Sequence, residues 1–404
     1  MRKLDINIEN IIKKTYKNYE FKKNPTGYFY DLNTIDENIN NLKNNLPRQV
    51  DLYYAMKANN NKDVLKHISS NDYVCGIEIA SYGELKQALK CRKGKDILFT
   101  GPGKTELELE SAIKSGIRYI NVESIIEAIR INKIAKKLNI PKVNILVRIN
   151  TNHAITGKVE QMGGISTKLG IDENDCIESI KYIDNNLSRV NIKGIHVFAA
   201  SGVLDDNSLI ESNEYIFKLA VKIEKAIGHI STIDFGGGLG IDYTDRNRIF
   251  NIERYGKNLK DLIDKYKFNH KEIIVELGTY LVGNAGYYTA KIIDIKKVKG
   301  KKHIIMAGGI NHSGLQLEMR RMNPIYIIRM NEEKIYEKQV DVLKEKVDIS
   351  GPLCLSADKL CWDVFVKEAS IGDIVVFFQS GAYCYGEGLH EFLSHLYPNE
   401  VIIK

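Results

Sequence analysis

From about residue 49 to residue 278, apolar and polar positions follow one repeating rhythm. A short run rich in β-branched and aromatic residues ends in a polar or glycine-containing turn, and a stretch with apolar residues at helical spacing follows. The strand-like runs begin with QVDLYYAMK, ending at Lys57, VCGIEIAS around Glu78, DILFTGPG at 96–103 and YINVES, ending at 124. They continue with NILVRIN at 144–150, IKGIHVFAA at 192–200, STIDFGGG at 231–238 and EIIVELG at 272–278. Between them, LELESAIKSG and ESIIEAIRINKIAKKL read as amphipathic helices.

Eight alternations over about 230 residues predict a (β/α)8 TIM barrel, which typically takes ~250 residues. The rival arrangement is an open doubly wound sheet. The number of units favours the barrel, and so does the placement of polar groups. Lys57, Glu78, Glu123, Arg148, His196, Gly236 and Glu276 each stand at or near the C-terminal end of a different predicted strand. In a barrel those ends converge on one mouth, where active sites sit. After about residue 280 the rhythm changes. YYTAKIIDIKKVKG, KKHIIMAGG, YIIRM, KVDISGPLC, DIVVFFQSGAY and EVIIK read as strands with few helices between them. The expectation is an α/β chain: an N-terminal segment (1–32) that lends a strand through NPTGYFYDL or caps the barrel, a barrel (33–280), and a C-terminal all-β domain (281–404).

Composition narrows the class without naming a chemistry. A length of 404 residues is room for about two to four domains. Hydrophobic residues at 44% and charged residues at 27% exclude a disordered chain. Lys+Arg 58 against Asp+Glu 51 leaves +7, and no run of five or more basic residues occurs, so nucleic acid is not an expected partner. Apolar stretches fall far short of the roughly 20 residues of a membrane helix, and MRKLDINIENIIKK lacks the apolar core of a signal peptide. Cysteines at 75, 91, 176, 354, 361 and 384 form no CxxC pair. That scatter predicts neither a metal centre nor a disulfide framework, and points to a reducing cytoplasm.

Several residues could carry chemistry. Lys57 ends an apolar strand, where an amine loses its proton more easily and can attack an aldehyde; on its own it also reads as a surface lysine. Gly236, Gly237 and Gly238, in the run GGGLG, could wrap an anion with backbone N–H groups, or simply make a tight turn. Glu276 faces the same mouth and needs a cationic or donating partner. A pyridine nitrogen is one such partner, and a structural ion pair with Arg148 is the other. His196 is either a core histidine or a group stacked on a planar ligand. Cys354, in an apolar run, and Tyr383, after Gly-Ala, read by themselves as packing and turn residues.

Taken together, YYAMKAN around Lys57, Gly236–Gly240, Glu276-Leu277-Gly278, Gly351-Pro352-Leu353-Cys354 and Ser380-Gly381-Ala382-Tyr383 resemble the fold-type III pyridoxal-phosphate decarboxylases. Ornithine, arginine and diaminopimelate decarboxylases belong to that family. The resemblance spans nearly the whole chain in the right order. It implies a barrel with a C-terminal β domain, pyridoxal 5'-phosphate as cofactor, and a homodimer whose active sites draw on both subunits. By position, Lys57 matches the Schiff-base lysine, His196 the residue stacked on the ring, and Glu276 the carboxylate on the ring nitrogen. Gly236, Gly237 and Gly238 match the phosphate cradle, Tyr383 a phosphate contact, and Cys354 the partner-supplied residue that protonates the product. Glu78 stands where many relatives have Asp, and Arg148 falls on a family position near the cofactor.

The departures point to the substrate. Thr279 replaces the arginine of the family's Glu-Pro-Gly-Arg, and Ala199 stands where relatives often carry Ser or Thr, with Ser201 nearby. Leu355 follows the cysteine where diamine-forming relatives have an acid, and Ala307 aligns with their other substrate aspartate. The arginine that grips the distal carboxylate of diaminopimelate is missing, although His312, Arg320 and Arg321 lie nearby. GPGKTELELESAIKSGI and VEQMGGISTKLGIDE are similar to the siderophore- and antibiotic-pathway branch, such as citryl-diaminopropionate and glutamyl-carrier-protein decarboxylases. The resemblance therefore implies decarboxylation of a modified, conjugated or carrier-tethered small-molecule amino acid. The rivals are a diaminopimelate decarboxylase and a non-catalytic binding protein on the same fold. Alanine racemase is weaker, because it lacks the GPLC segment.

Overall fold

The computed structural model describes residues 3–155, 160–243, 248–314, 322–334, 336 and 339–404. The chain divides into two compact units: Glu37–Ile241 with Ile249–Tyr280, and Met1–Asp36 with Asp242–Arg248 and Leu281–Lys404.

The first unit is a closed parallel barrel. Its strands are β1 (Val50–Ala55), β2 (Val74–Ile79), β3 (Ile97–Phe99), β4 (Tyr119–Val122), β5 (Val143–Asn150), β6 (Val190–His196), β7 (Thr232–Asp234) and β8 (Glu272–Leu277). Each pairs with its neighbour in chain order, and β8 pairs with β1 to close the ring. All eight expected strands are present, and closure excludes the open sheet. The helices between them are set by local chemistry. Thr105 and Glu108 form a reciprocal capping box at the start of Glu106–Lys114. Asn61 caps Lys62–Ser69 through the N–H groups of Asp63 and Val64.

Layers fill the barrel interior from bottom to top. At the N-terminal ends Glu272 accepts from Tyr119 Oη (2.6 Å), Thr232 Oγ1 (2.9 Å) and Arg118 Nε (2.9 Å), which makes a polar plug. Above it Tyr53, Leu98, Tyr119, Leu146 and Ile274 form an apolar cluster contributed by five strands. Beyond that apolar layer, charged residues return at the C-terminal rim. Keeping the middle dry raises the strength of every electrostatic contact there.

The second unit is built on an eight-stranded sheet. Ile325–Ile328, Ile374–Phe377, Gly286–Val298, Lys301–Met306, Val342–Ser350 and Lys359–Ala369 are neighbours in that order. Thr26–Asp31 pairs antiparallel with Gly286–Val298 and parallel with Asn399–Ile403. Some elements were not expected, among them the short helix Tyr19–Lys23. Lys359–Ala369 is a long strand whose apolar residues fall in two runs, 360–362 and 364–366, without strict alternation. Ile6–Thr15 is a helix capped by Asp5, and its Ile8 and Ile12 pack with Phe29, Ile328 and Ile374. The i, i+4 spacing of those isoleucines was the available signal.

Strand β6 carries one glycine that the barrel cannot replace. A Cβ at Gly194 would lie 1.7 Å from the carbonyl oxygen of Thr232 on β7, and backbone within a barrel cannot step aside. Gly194→Ala is therefore expected to lose about 1–3 kcal/mol or more of stability, through overpacking. Urea denaturation of the purified variant checks this, and an unchanged midpoint would contradict the packing described.

Candidate active site

Lys57 sits in a single 3-10 turn, Met56–Ala58, directly after β1. Met56 and Ala58 are buried, so the turn anchors the backbone while the lysine projects inward along the rim. Its Nζ lies 2.8 Å from Glu78 Oε2; the lysine side chain is 34% exposed and the glutamate 0%. Register explains the pairing, since Ala55 stands opposite Glu78. Lys57 Nζ also lies 5.9 Å from the ring centroid of Phe198. Glu84 is close by, accepting from the Ala80 N–H (2.6 Å). Burial, reinforced by the Glu78 charge, pushes its carboxyl up to about 7.

Phe198 links the lysine to the glycine turn. A Cβ on Gly236 would meet Phe198 Cβ at 2.9 Å, and one on Gly237 would meet the Glu276 carbonyl oxygen at 2.4 Å. Gly236 adopts φ +59 and Gly238 φ +125, conformations that favour glycine. The bare, tightly folded backbone leaves the kind of cradle that a phosphate fills.

Three strands supply the groups between. Arg148 on β5, His196 on β6 and Asp234 on β7 stand opposite one another in register. Glu276 on β8 lies two residues beyond Ile274, the partner of Asp234. His196 Nε2 is 3.5 Å from Glu276 Oε2. Neither ring nitrogen of His196 has a hydrogen bond among the described residues, although the side chain is fully buried. Asn121 Nδ2 donates to Glu276 Oε1 (3.3 Å) and Thr100 Oγ1 (2.9 Å). Burial alone would raise the Glu276 carboxyl. The His196 imidazole and the Lys57 ammonium, with the approach of Asp234, outweigh it, and Glu276 is held well below the usual carboxylate range. Asp234 goes the other way, raised by burial and then by Glu276.

The alternative ion pair between Glu276 and Arg148 is not formed. Arg148 Nη1 binds Glu123 Oε1 instead (2.7 Å), and Glu123 Oε2 accepts from the Gly170 N–H (2.7 Å). Glu127 accepts from the Glu123 N–H (2.9 Å) and pairs with buried Lys104 (2.7 Å). Lys104 also donates to the carbonyls of Gly101 (2.6 Å) and Asn121 (2.8 Å). Burial lowers its pKa although Glu127 works to raise it. Lys104, Glu127, Glu123 and Arg148 thus brace the ends of β4 and β5.

The barrel unit brings together Lys57, Glu78, Arg148, His196, Gly236, Gly237, Gly238 and Glu276. Cys354 and Tyr383 belong to the other unit, where Cys354 is exposed and Tyr383 is half-buried with φ +62. His312 is buried there, which pushes its imidazole down to about 4; Arg320 and Arg321 lie outside the described residues. Sequence reasoning missed Asp234, Asn121 and Phe198. Asp234 was hidden because it reads as an ordinary strand residue ahead of the glycines.

These groups suit a phosphorylated planar ring: a backbone cradle, a buried anion, an imidazole with unpaired nitrogens and an amine at the rim. Residues 32–283 match the family described as pyridoxal-dependent decarboxylase, pyridoxal binding domain. The chain is 30% identical over 93% of both chains to 2-[(L-alanin-3-ylcarbamoyl)methyl]-2-hydroxybutanedioate decarboxylase from Staphylococcus aureus. It is 30% identical over 93% of its length to L-glutamyl-[BtrI acyl-carrier protein] decarboxylase from Niallia circulans, covering 88% of that protein. The crystal structure of diaminopimelate decarboxylase from Helicobacter pylori complexed with L-lysine superposes with a TM-score of 0.83 at 27% identity, over 96% of this chain and 94% of that one.

Arg148→Met should strand a buried Glu123 carboxylate and cost about 3–5 kcal/mol. Adding Glu123→Gln should recover part of that loss. Equilibrium unfolding of the two variants checks both statements, and a neutral Arg148→Met would show that the pair does not brace the rim.

Proposed function

The chain belongs to the pyridoxal-dependent decarboxylases, and on that footing we propose that it removes the α-carboxylate of an amino acid whose side chain is already conjugated or carrier-tethered, in a siderophore or natural-product pathway. Membership makes it a carboxy-lyase that works with pyridoxal 5'-phosphate. The observation that carries the substrate half is similarity, over about nine-tenths of this chain, to two decarboxylases named for conjugated substrates. Ala307 and Leu355 agree with it: neither can neutralise a free distal ammonium.

When bound, the cofactor supplies an aldehyde and an electron-accepting ring. Lys57 is the amine that would meet the aldehyde, and Glu78 accepts its hydrogen bond and stands where it could take a proton from it. Glu276, anionic at neutral pH, holds a proton on the ring nitrogen. His196, fully buried beside Glu276, would hold the ring against its imidazole. Gly236, Gly237 and Gly238 take the phosphate. Arg148 keeps positive charge beside His196, and Glu123 fixes its direction.

The active assembly in this reading is a homodimer in the cytoplasm. Cys354, exposed in the single chain, would serve the partner subunit's site, where its Sγ–H could supply a proton. No helix among the described residues is long and apolar enough to cross a membrane.

Release of CO2 from a substrate panel tests the assignment. Conjugated or carrier-bound amino acids should outrun free diaminopimelate, ornithine and lysine by about a hundredfold or more in kcat/KM, because an unpaired buried charge is strongly rejected. Equal turnover of free diaminopimelate would establish the diaminopimelate reading instead. No release from any compound, with no cofactor spectrum, would indicate a binding protein. Lys57→Ala and Cys354→Ala should each fall to background, and mixing them under subunit exchange should restore part of the activity. Failure of the mixture to recover would argue against shared sites.

A further inference from the structure

We propose that Asp234 is a positioning residue whose carboxyl group ties the Glu276 carboxylate to the Gly236–Gly238 turn, so that the ring end and the phosphate end of the cofactor site are held as one piece. The inference rests on the cofactor reading of the site and adds a residue that it does not use. Asp234 Oδ1 accepts the Gly236 N–H at 2.8 Å, inside the bend that makes the cradle. On its other side, Asp234, His196 and Glu276 offer side-chain atoms that all lie within 4.8 Å of one another. Asp234 and His196 are 0% exposed and Glu276 5%. Asp234 Oδ2 has no hydrogen bond among the described residues, so this buried oxygen is the one left to face Glu276.

Two buried carboxyl groups at that separation cannot both be charged. One proton must lie between them. The neighbours decide where it stays. Glu276 has the Asn121 carboxamide, the His196 imidazole and the Lys57 ammonium to favour its anion. Asp234 has one backbone N–H, and it faces the charges of Glu276 and Glu78. Arg148, next in the same register row, is taken by Glu123. The proton is therefore placed on Asp234, whose Oδ2 can turn an O–H toward Glu276 while its other oxygen holds the turn. Register makes the link rigid as well, since the Glu276 N–H donates to the Gly236 carbonyl (2.7 Å). The carboxyl and the backbone thus tie β8 to the glycine turn at two points.

Asp234→Asn mimics a protonated aspartate, keeping one donor and one acceptor, whereas Asp234→Ala removes both. Apo-protein is titrated with pyridoxal phosphate and, separately, with pyridoxal. Asp234→Asn is expected to bind both within about threefold of wild type, and Asp234→Ala to lose about tenfold or more for each, since it leaves buried partners unsatisfied. Infrared difference spectra of the apo-proteins at neutral pH should show a protonated-carboxyl band in wild type that Asp234→Asn removes. Circular dichroism reports folding; if the alanine variant does not fold, the asparagine variant and the infrared band decide. An asparagine variant that loses tenfold, an alanine variant weakened for pyridoxal phosphate but not pyridoxal, no Asp234-dependent band, or a stoichiometric divalent metal held by the three groups would each overturn the proposal. Wild type that shows the band but does not bind pyridoxal phosphate would instead defeat the cofactor reading.

Discussion

The register of a closed parallel barrel is the constraint on which the rest depends. It sets Arg148, His196 and Asp234 opposite one another on three successive strands, and it puts Glu78 opposite Ala55, two residues before Lys57. All of these side chains except Lys57 are nearly or wholly buried. A buried ion costs several kcal/mol unless a neighbour neutralises it. Each cation near the rim is therefore answered by a carboxylate from a neighbouring element: Lys57 by Glu78, Arg148 by Glu123, Lys104 by Glu127. Shifting one strand by a residue would turn its charge outward and leave its partner alone in a dry environment.

The same constraint explains how one end of the barrel became a reaction site and the other did not. At the bottom, Glu272 is saturated by Arg118, Tyr119 and Thr232, so it has no capacity left for a ligand. At the top, neither ring nitrogen of His196 and only one oxygen of Glu78 has a hydrogen bond among the described residues. Unsatisfied buried polar atoms are costly and rare in folded proteins. Their concentration beside a glycine cradle is what a site looks like when a polar, planar molecule completes it.

Much of this was legible in the chain itself. The alternation of strand and helix located all eight barrel strands, and the polar residues closing them marked the rim. Lys57, His196 and Glu276 stood out because a charged or polar group at the end of an apolar run is conspicuous. What stayed hidden was pairing. Arg148 was weighed as a partner for Glu276, yet it turns to Glu123, because the choice depends on which strands adjoin and at what offset. Asp234 was missed for a related reason: next to a run of glycines it reads as the last residue of a strand, and only the approach of Glu276 from β8 gives it a role. The strand Lys359–Ala369 gives little period-two signal, because its apolar residues come in two runs of three split by Asp363.

The central claim is that Lys57 is the amine to which the cofactor aldehyde is delivered. Reduction of the purified protein with borohydride in the presence of pyridoxal phosphate, followed by peptide mass mapping, tests it most directly. The added cofactor mass is expected on the peptide containing Lys57. Stoichiometric labelling of a different lysine, with Lys57 unmodified, would contradict it.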